Sequence, residues 1–305
     1  MSNTRQQSVL VLGGGGYIGQ EVAIAFVHAG YKVYALVRSN KKDDILLRNE
    51  ITPVHAKDVL DFAAWEELGN DVDVIVEAVE FGPDTVTLVF DQLKRLHDRR
   101  SSGNGGRPLT IIYTSGTWVY GQMDDPQHHV ITEDTGYDRC APLEYMRRDI
   151  ECKYRTINAI IIEATLVYGS AGSLSADYFQ AVTSGTFALF ITEQQQLTFV
   201  HVYDLAQIYV LAAQHNDVAC GQTFICGAYH HRVVDVIEAI AKAAGVPMKP
   251  INYLPPASDD LFQQCLVISQ CVSSSKAERM LGWRPVQPSI IQDAPRYLQT
   301  WRHFQ

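Results

Sequence analysis

Positive charge is in short supply in this chain. Its 25 Lys and Arg residues face 34 Asp and Glu, a formal net charge of −9 over 305 residues. Nucleic-acid binders generally carry a basic face, so this balance argues against that class, although a local pocket can still be basic enough for an anionic substrate. No apolar run approaches the ~20 residues of a membrane span. The six cysteines (Cys140, Cys152, Cys220, Cys226, Cys265, Cys271) form no CxxC pair. No Cys/His spacing fits a zinc motif, so reduced structural thiols and no metal are expected. Internal repeats and heptads are lacking as well. The opening MSNTRQQ is polar and runs directly into a strand-like segment, unlike a signal or transit peptide, so a cytoplasmic location is expected.

What is present is an ordinary globular balance, 47% apolar and 19% charged. The length suits one large domain or two closely joined ones. Through the first half, short apolar runs alternate with helical patterns: strands at 8–13, 32–38, 71–79, 109–115 and 158–169, and a helix at 19–30 stopped by Gly30. Strands that are apolar throughout and separated by helices predict a parallel sheet covered on both faces. After about residue 170 the pattern is mixed: a strand leading into a helix over 197–214, a strand at 223–227, and an amphipathic helix at 233–245 ended by Gly245. The expectation is an α/β chain with a Rossmann-type doubly wound sheet over 1–170. A smaller mixed α/β substrate-binding region is expected over 171–305, with some segments packing back on the first domain.

VLVLGGGGYIGQEVA places Gly13, Gly16 and Gly19 at GxxGxxG spacing between a strand and a helix. Such a loop lets the backbone approach a pyrophosphate closely, and the following helix offers it free N–H groups and partial positive charge. Four successive glycines would be a needless entropic cost in a plain turn. At the end of the second strand, ALVRSNKK carries Arg38 and no acid, with Lys41 and Lys42 close behind. An acid there would bond the ribose 2′-hydroxyl of NAD, whereas arginine accommodates a 2′-phosphate, so NADP is expected over NAD. The competing reading of Arg38 is a simply solvated side chain.

Further motifs follow in order: KDVLD (57–61), TSGTWVYG (114–121), ATLVYG (164–169), FVHVYDLAQIYVLA (199–212) and SSSKAERMLGWRP (273–285). With the glycine loop they make the chain resemble the extended short-chain dehydrogenase/reductase family, the NAD-dependent epimerase/dehydratase group, over nearly its whole length. The resemblance implies a dinucleotide lined by Gly13, Tyr17, Ile18, Asp58, Val59 and Ala78, with Asp58 at the adenine. It also implies a small-molecule substrate of carbonyl, hydroxyl or nucleotide-sugar type, and a homodimer. The family transfers hydride with a Tyr-x-x-x-Lys pair and a Ser or Thr that holds the substrate oxygen.

The stretch APLEYMRRDIE (141–151) departs from that pattern. Anchored on Pro142, with Glu151 matching the family's later acid, the tyrosine position holds Leu143 and the lysine position Arg147. Anchored on Tyr120 and Gly121, the Ser/Thr position holds Gly116, flanked by Ser115 and Thr117. Tyr145 lies two residues on, a rotation of ~200° along a helix, so it points away from the site. Shifting the register to use it would make Asp149 its partner, which would raise a phenol pKa. Arg147 keeps the positive charge but stays protonated, so it can position an anion yet shuttles protons poorly. Ser115, Thr117 and Arg147 are the catalytic candidates. Arg147 is equally a cofactor contact or, on the plainer reading, an exposed helical arginine. His128 and His129 read as solvated loop residues, and His201 as structural. The adjacent His230 and His231 point in different directions, against metal binding. Three functions remain open: an atypical NADP(H)-dependent oxidoreductase or epimerase-like enzyme, a non-redox isomerase, cyclase or lyase, or an NADP(H) sensor.

Overall fold

The computed structural model describes residues 5–79, 82–102, 107–123, 125, 129–140 and 145–304. Its strands are β1 Ser8–Leu12, β2 Lys32–Val37, β3 Thr52–His55, β4 Val74–Glu77, β5 Thr110–Gly116, β6 Ile160–Ala164, β7 Leu166–Tyr168, β8 Ala188–Leu189, β9 Gln196–His201, β10 Thr223–Cys226, β11 Tyr229–Arg232 and β12 Asn252–Tyr253. The helices are α1 Tyr17–His28, α2 Asp43–Arg48, α3 Glu66–Asp71, α4 Pro83–Ser102, α5 Tyr145–Arg155, α6 Ala176–Thr183, α7 Val202–Gln214, α8 Asn216–Ala219, α9 Val233–Ala244, α10 Leu261–Leu266, α11 Ser275–Leu281 and α12 Ala294–His303.

Seven strands form one sheet in the order β10-β6-β5-β4-β1-β2-β3. The pairs β3–β2, β2–β1, β1–β4 and β4–β5 are parallel. β1 is buried along its whole length, as a strand covered on both faces must be. The order turns around at β1, with β2 on one side and β4 on the other, which is the switch point of a doubly wound sheet. α4 shows how the covering layer is encoded: Val86, Val89, Phe90, Leu93 and Leu96 recur at helical spacing and pack with Leu10, Ile75 and Ile111.

The chain divides into two compact units that interleave in sequence. The first holds Met1–Ser115, Asp149–Ile162 and Ala206–Thr223; the second holds Gly116–Arg148, Glu163–Leu205 and Phe224–Gln305. The division is not a single cut after residue 170, because the first unit also takes in Ala206–Thr223, most of α7 together with α8. The strand expected at 158–169 is two strands: β6 belongs to the large sheet, and β7 pairs with β9 in a three-stranded one. At the junction, Thr165 donates both its N–H and its hydroxyl to the Cys226 carbonyl, at 3.2 and 3.1 Å. The run NAIIIEATLVYG, interrupted only by Glu163 and Thr165, does not by itself mark such a change of partner.

The second unit is built on β7, β9 and β11, with α6, α9 and α12 packed into one apolar cluster around Phe179, Phe199, Ile237 and Trp301. Two of the sequence motifs meet here. Asp204 accepts from the N–H groups of Val286 and Gln287 at 3.0 and 3.1 Å, and Trp283 donates its indole N–H to the Asp204 carbonyl at 2.8 Å. The Asp of FVHVYDLA thus fixes the loop after LGWRP.

Candidate functional site

The glycine loop joins β1 to α1 at the switch point. Gly13 has φ +80, and a Cβ on it would stand 2.4 Å from the Ala78 carbonyl oxygen at the end of β4. A Cβ on Gly19 would stand 2.2 Å from the Gly13 carbonyl oxygen. Both positions therefore need glycine for internal reasons, one for a left-handed turn and one for close packing of helix on strand. Gly16 differs: it is exposed, and the one heavy atom near a Cβ there is the Gly13 oxygen at 3.1 Å. No other heavy atom of its surroundings comes within 4 Å of that Cβ.

Gly16 is also the N-cap of α1, in extended conformation with no side-chain cap, and no acid lies in the first turn. A helix start with neither a capping side chain nor an acid leaves its positive end available to an anion. Tyr17 and Ile18, the first two helical residues, are half-buried. The residues present fit the pyrophosphate of a dinucleotide.

Arg38 follows β2 and is exposed, as are Lys41 and Lys42. Neighbouring acids are engaged elsewhere: Asp43 Oδ1 lies 3.0 Å from His55 Nε2, and Asp44 pairs with Arg48 at 3.0 Å. Among the described residues, Arg38, Lys41 and Lys42 make no ion pair or hydrogen bond through their side chains. Lys42 lies against the glycine loop, its Cγ 3.6 Å from where a Gly15 Cβ would be. Asp58, after β3, is exposed and closes its own turn by accepting from the Leu60 N–H at 2.8 Å through one oxygen. Val59 beside it is half-buried, and its carbonyl accepts from the Trp65 indole at 2.9 Å. Gly13, Gly16, Tyr17, Ile18, Gly19, Arg38, Asp58, Val59 and Ala78 all fall in the first unit.

The same end of the sheet carries polar groups. Leu12, Glu77 and Tyr113 form one row across β1, β4 and β5, so Ser115, two residues beyond Tyr113, stands at the same end as Gly13. Ser115 is buried and donates its hydroxyl to Glu151 Oε1 at 2.5 Å. Glu151 is fully buried, and its other oxygen accepts from Arg155 at 3.2 Å, which also donates to Thr223 Oγ1 at 3.2 Å. The acid used to set the register of 141–151 is thus tied to the end of β5. Glu77, buried at the end of β4, accepts from the Tyr154 hydroxyl. Burial first, and the carboxylate second, hold that phenol well above its ordinary pKa, and Tyr154 stacks on Tyr113 with centroids 4.3 Å apart. Glu77 and Glu163, which accepts from the Tyr120 hydroxyl at 2.7 Å, were not singled out in the sequence. The available signal was a lone acid inside an apolar strand (VIVEA, IIIEA), which burial obliges to find a partner.

The remaining candidates are distributed. Thr117 and Arg147 belong to the second unit, Thr117 buried and Arg147 half-buried on α5, four residues before Glu151. Leu143 and His128 lie outside the described residues. His129 is exposed. His201 accepts the Tyr203 N–H at 3.1 Å on Nδ1, and burial lowers its pKa to about 4. His230 and His231 sit on β11. Among the described residues no group of three His, Cys, Asp or Glu side chains could hold a metal, and no helix is long and apolar enough to cross a membrane.

Comparison with known proteins agrees with this architecture. A UDP-glucose 4-epimerase of Halalkalibacterium halodurans is 25% identical over 329 aligned residues, covering 93% of this chain and 92% of that protein. The solved dTDP-glucose 4,6-dehydratase of Bacillus anthracis, in complex with NAD, superposes with a TM-score of 0.80 at 17% identity, over 97% of each chain. The UDP-glucuronic acid 4-epimerase of Bacillus cereus, solved with UDP-glucuronic acid and NAD, gives 0.78 at 16% identity, over 98% of this chain and 100% of that one. The model of the NAD dependent epimerase/dehydratase family matches residues 9–227, well over half of the sequence, and the chain belongs to that family, within the extended short-chain dehydrogenase/reductases.

Proposed function

We propose that this chain binds NADP(H) and acts as an oxidoreductase or epimerase-like enzyme on a small carbonyl, hydroxyl or nucleotide-sugar-like substrate, without the usual Tyr-x-x-x-Lys pair. The observation that carries the reading is the cradle of Gly13, Gly16 and Gly19 at an uncapped helix start, flanked by the unpaired cations Arg38 and Lys42. The two solved structures named above hold NAD, which favours that cofactor. The absence of an acid at the end of β2 and the free cations there favour a 2′-phosphate instead.

The bound nicotinamide would supply hydride exchange with a substrate carbon. Around it the chain's own groups divide the work. The loop and the α1 N-terminus hold the pyrophosphate, and Arg38 with Lys42 meets the 2′-phosphate. Asp58, Val59 and Ala78 line the remainder of the dinucleotide. Thr117 offers its hydroxyl to a substrate oxygen, Ser115, whose hydroxyl proton goes to Glu151, can only accept there, and Arg147 holds an anion. Titration calorimetry with NADPH and NADH, followed by turnover assays on a panel of carbonyl and nucleotide-sugar substrates, tests the proposal. Equal affinity for the two dinucleotides contradicts the NADP assignment. A second reading, an NADP(H) sensor, is favoured by Leu143, Arg147 and Gly116 at the three positions where the family resemblance places Tyr, Lys and Ser or Thr. Tight NADPH binding with no turnover and a co-purifying partner would decide for it.

A further inference from the structure

A cavity of about 560 Å³ opens in the second unit beside β11, lined by Val130, Gln196, His230, His231, Arg232, Asp235 and Cys271. That volume lies within the range of small-ligand sites, ~300–1,000 Å³. We infer that it binds a neutral, hydroxyl-rich small molecule, a monosaccharide or a sugar alcohol. The inference is independent of the dinucleotide assignment.

Three features of the lining point to that chemistry. First, its polar groups are fixed but not used up. Thr198 Oγ1 accepts the Val272 N–H at 3.0 Å and lies 2.9 Å from His230 Nδ1, so Nδ1 is engaged and Nε2 is the ring's remaining polar atom. Second, the lining carries no net charge. Arg232 and Asp235 contribute one charge of each sign, 3.8 Å apart, too far for a hydrogen bond, so both retain donor and acceptor capacity. Burial lowers the pKa of both imidazoles and keeps them neutral at pH 7. A polyanion meets no excess of positive charge here, whereas a hydroxyl both donates and accepts and so suits a mixed ring of Gln, His, Arg and Asp. Third, Val130, 50% exposed, gives an apolar wall for the C–H face of a sugar.

The test uses the full chain without dinucleotide. Saturation-transfer NMR and calorimetry are run with glucose, galactose, xylose and myo-inositol, and with inorganic phosphate and UDP as anionic probes. At least one neutral polyol is expected to bind saturably and in preference to both anions. Asp235→Asn, at a half-exposed position, and His230→Phe, which keeps the ring's volume but removes the exposed ring's Nε2, should each weaken it about tenfold. NADPH affinity and the melting temperature should stay unchanged in the Asp235 variant. Absence of saturable binding by every polyol overturns the inference, as does a preference for phosphate or UDP, or equal polyol affinity in both variants. A failed NADPH titration would leave this result unaffected.

Discussion

At the scale of single residues, the glycine loop separates two demands that look alike in sequence. Gly13 and Gly19 are required by the protein itself, since a Cβ on either would press on backbone atoms at 2.4 and 2.2 Å. Gly16 is less constrained, since a Cβ there meets only the Gly13 oxygen at 3.1 Å, a contact relieved by a small shift. Gly16→Val should therefore fold with only a modestly lowered melting temperature yet lose dinucleotide binding. Wild-type protein with NADPH at a hundred times its dissociation constant gains about 2.7 kcal/mol of stability. The variant should show no such thermal shift, and a full shift in the variant would remove the loop from the cofactor site. Arg38 is a matter of charge rather than space. Arg38→Ala should weaken NADPH by about 1.5–3 kcal/mol, the range of a hydrogen bond to a charged group, and leave NADH nearly unaffected. Competitive fluorescence titration of both dinucleotides reads this directly, and equal losses for the two would mean that Arg38 meets no 2′-phosphate.

At the scale of elements, the junction of β9 and α7 is held by His201 and Asp204. His201 is buried, accepts the Tyr203 N–H, and packs edge-on against Tyr168 at 5.2 Å. Burial chiefly, and Arg296 secondarily, lower its pKa from 6.5 to about 4. The folded state thus resists protonating a ring that the unfolded chain protonates readily. Its contribution is fully present above pH 6.5 and is lost as pH falls towards 4, on the order of 3 kcal/mol in all. Asp204, whose carboxyl is raised by burial, works in the opposite direction, so a substitution at 201 alone isolates the imidazole. His201→Asn retains an acceptor for the Tyr203 N–H but cannot titrate. Urea melts between pH 4 and 8 should show a steep acid loss of stability in the wild type and a shallower one in the variant. Superimposable profiles would assign the acid limb to other groups.

At the scale of the whole molecule, the large sheet was legible because each central strand is an apolar run between helical patterns, and the strand–glycine–helix order located the glycine loop between β1 and α1. Segments after 170 packing back on the first domain were expected, but not which ones: that Ala206–Thr223 joins the first unit is decided by tertiary contacts and leaves no local pattern. Buried acids were legible only in part: Glu151 stood out through its spacing, whereas Glu77 and Glu163 looked like interruptions in apolar strands until Tyr154 and Tyr120 were found against them. The bond from Ser115 to Glu151, at 2.5 Å, bears on the chemistry of the entire chain. It ties Glu151 to the end of β5, and the sequence register counted back from that acid puts Leu143 and Arg147 at the tyrosine and lysine positions of the family resemblance. A leucine moves no proton, and an arginine that remains charged near neutral pH neither gives nor takes one. Proton transfer by a phenol should then play no part in whatever reaction the protein catalyses. Tyr145→Phe is expected to leave turnover within about twofold of wild type, less than the 10²–10⁴-fold that a positioned acid or base contributes. Arg147→Ala should instead weaken binding of NADPH or an anionic substrate about tenfold or more. Steady-state kinetics and calorimetry on the two variants separate the alternatives. A hundredfold loss in Tyr145→Phe, with Arg147→Ala unaffected, would shift the helix register and return the proton to a tyrosine.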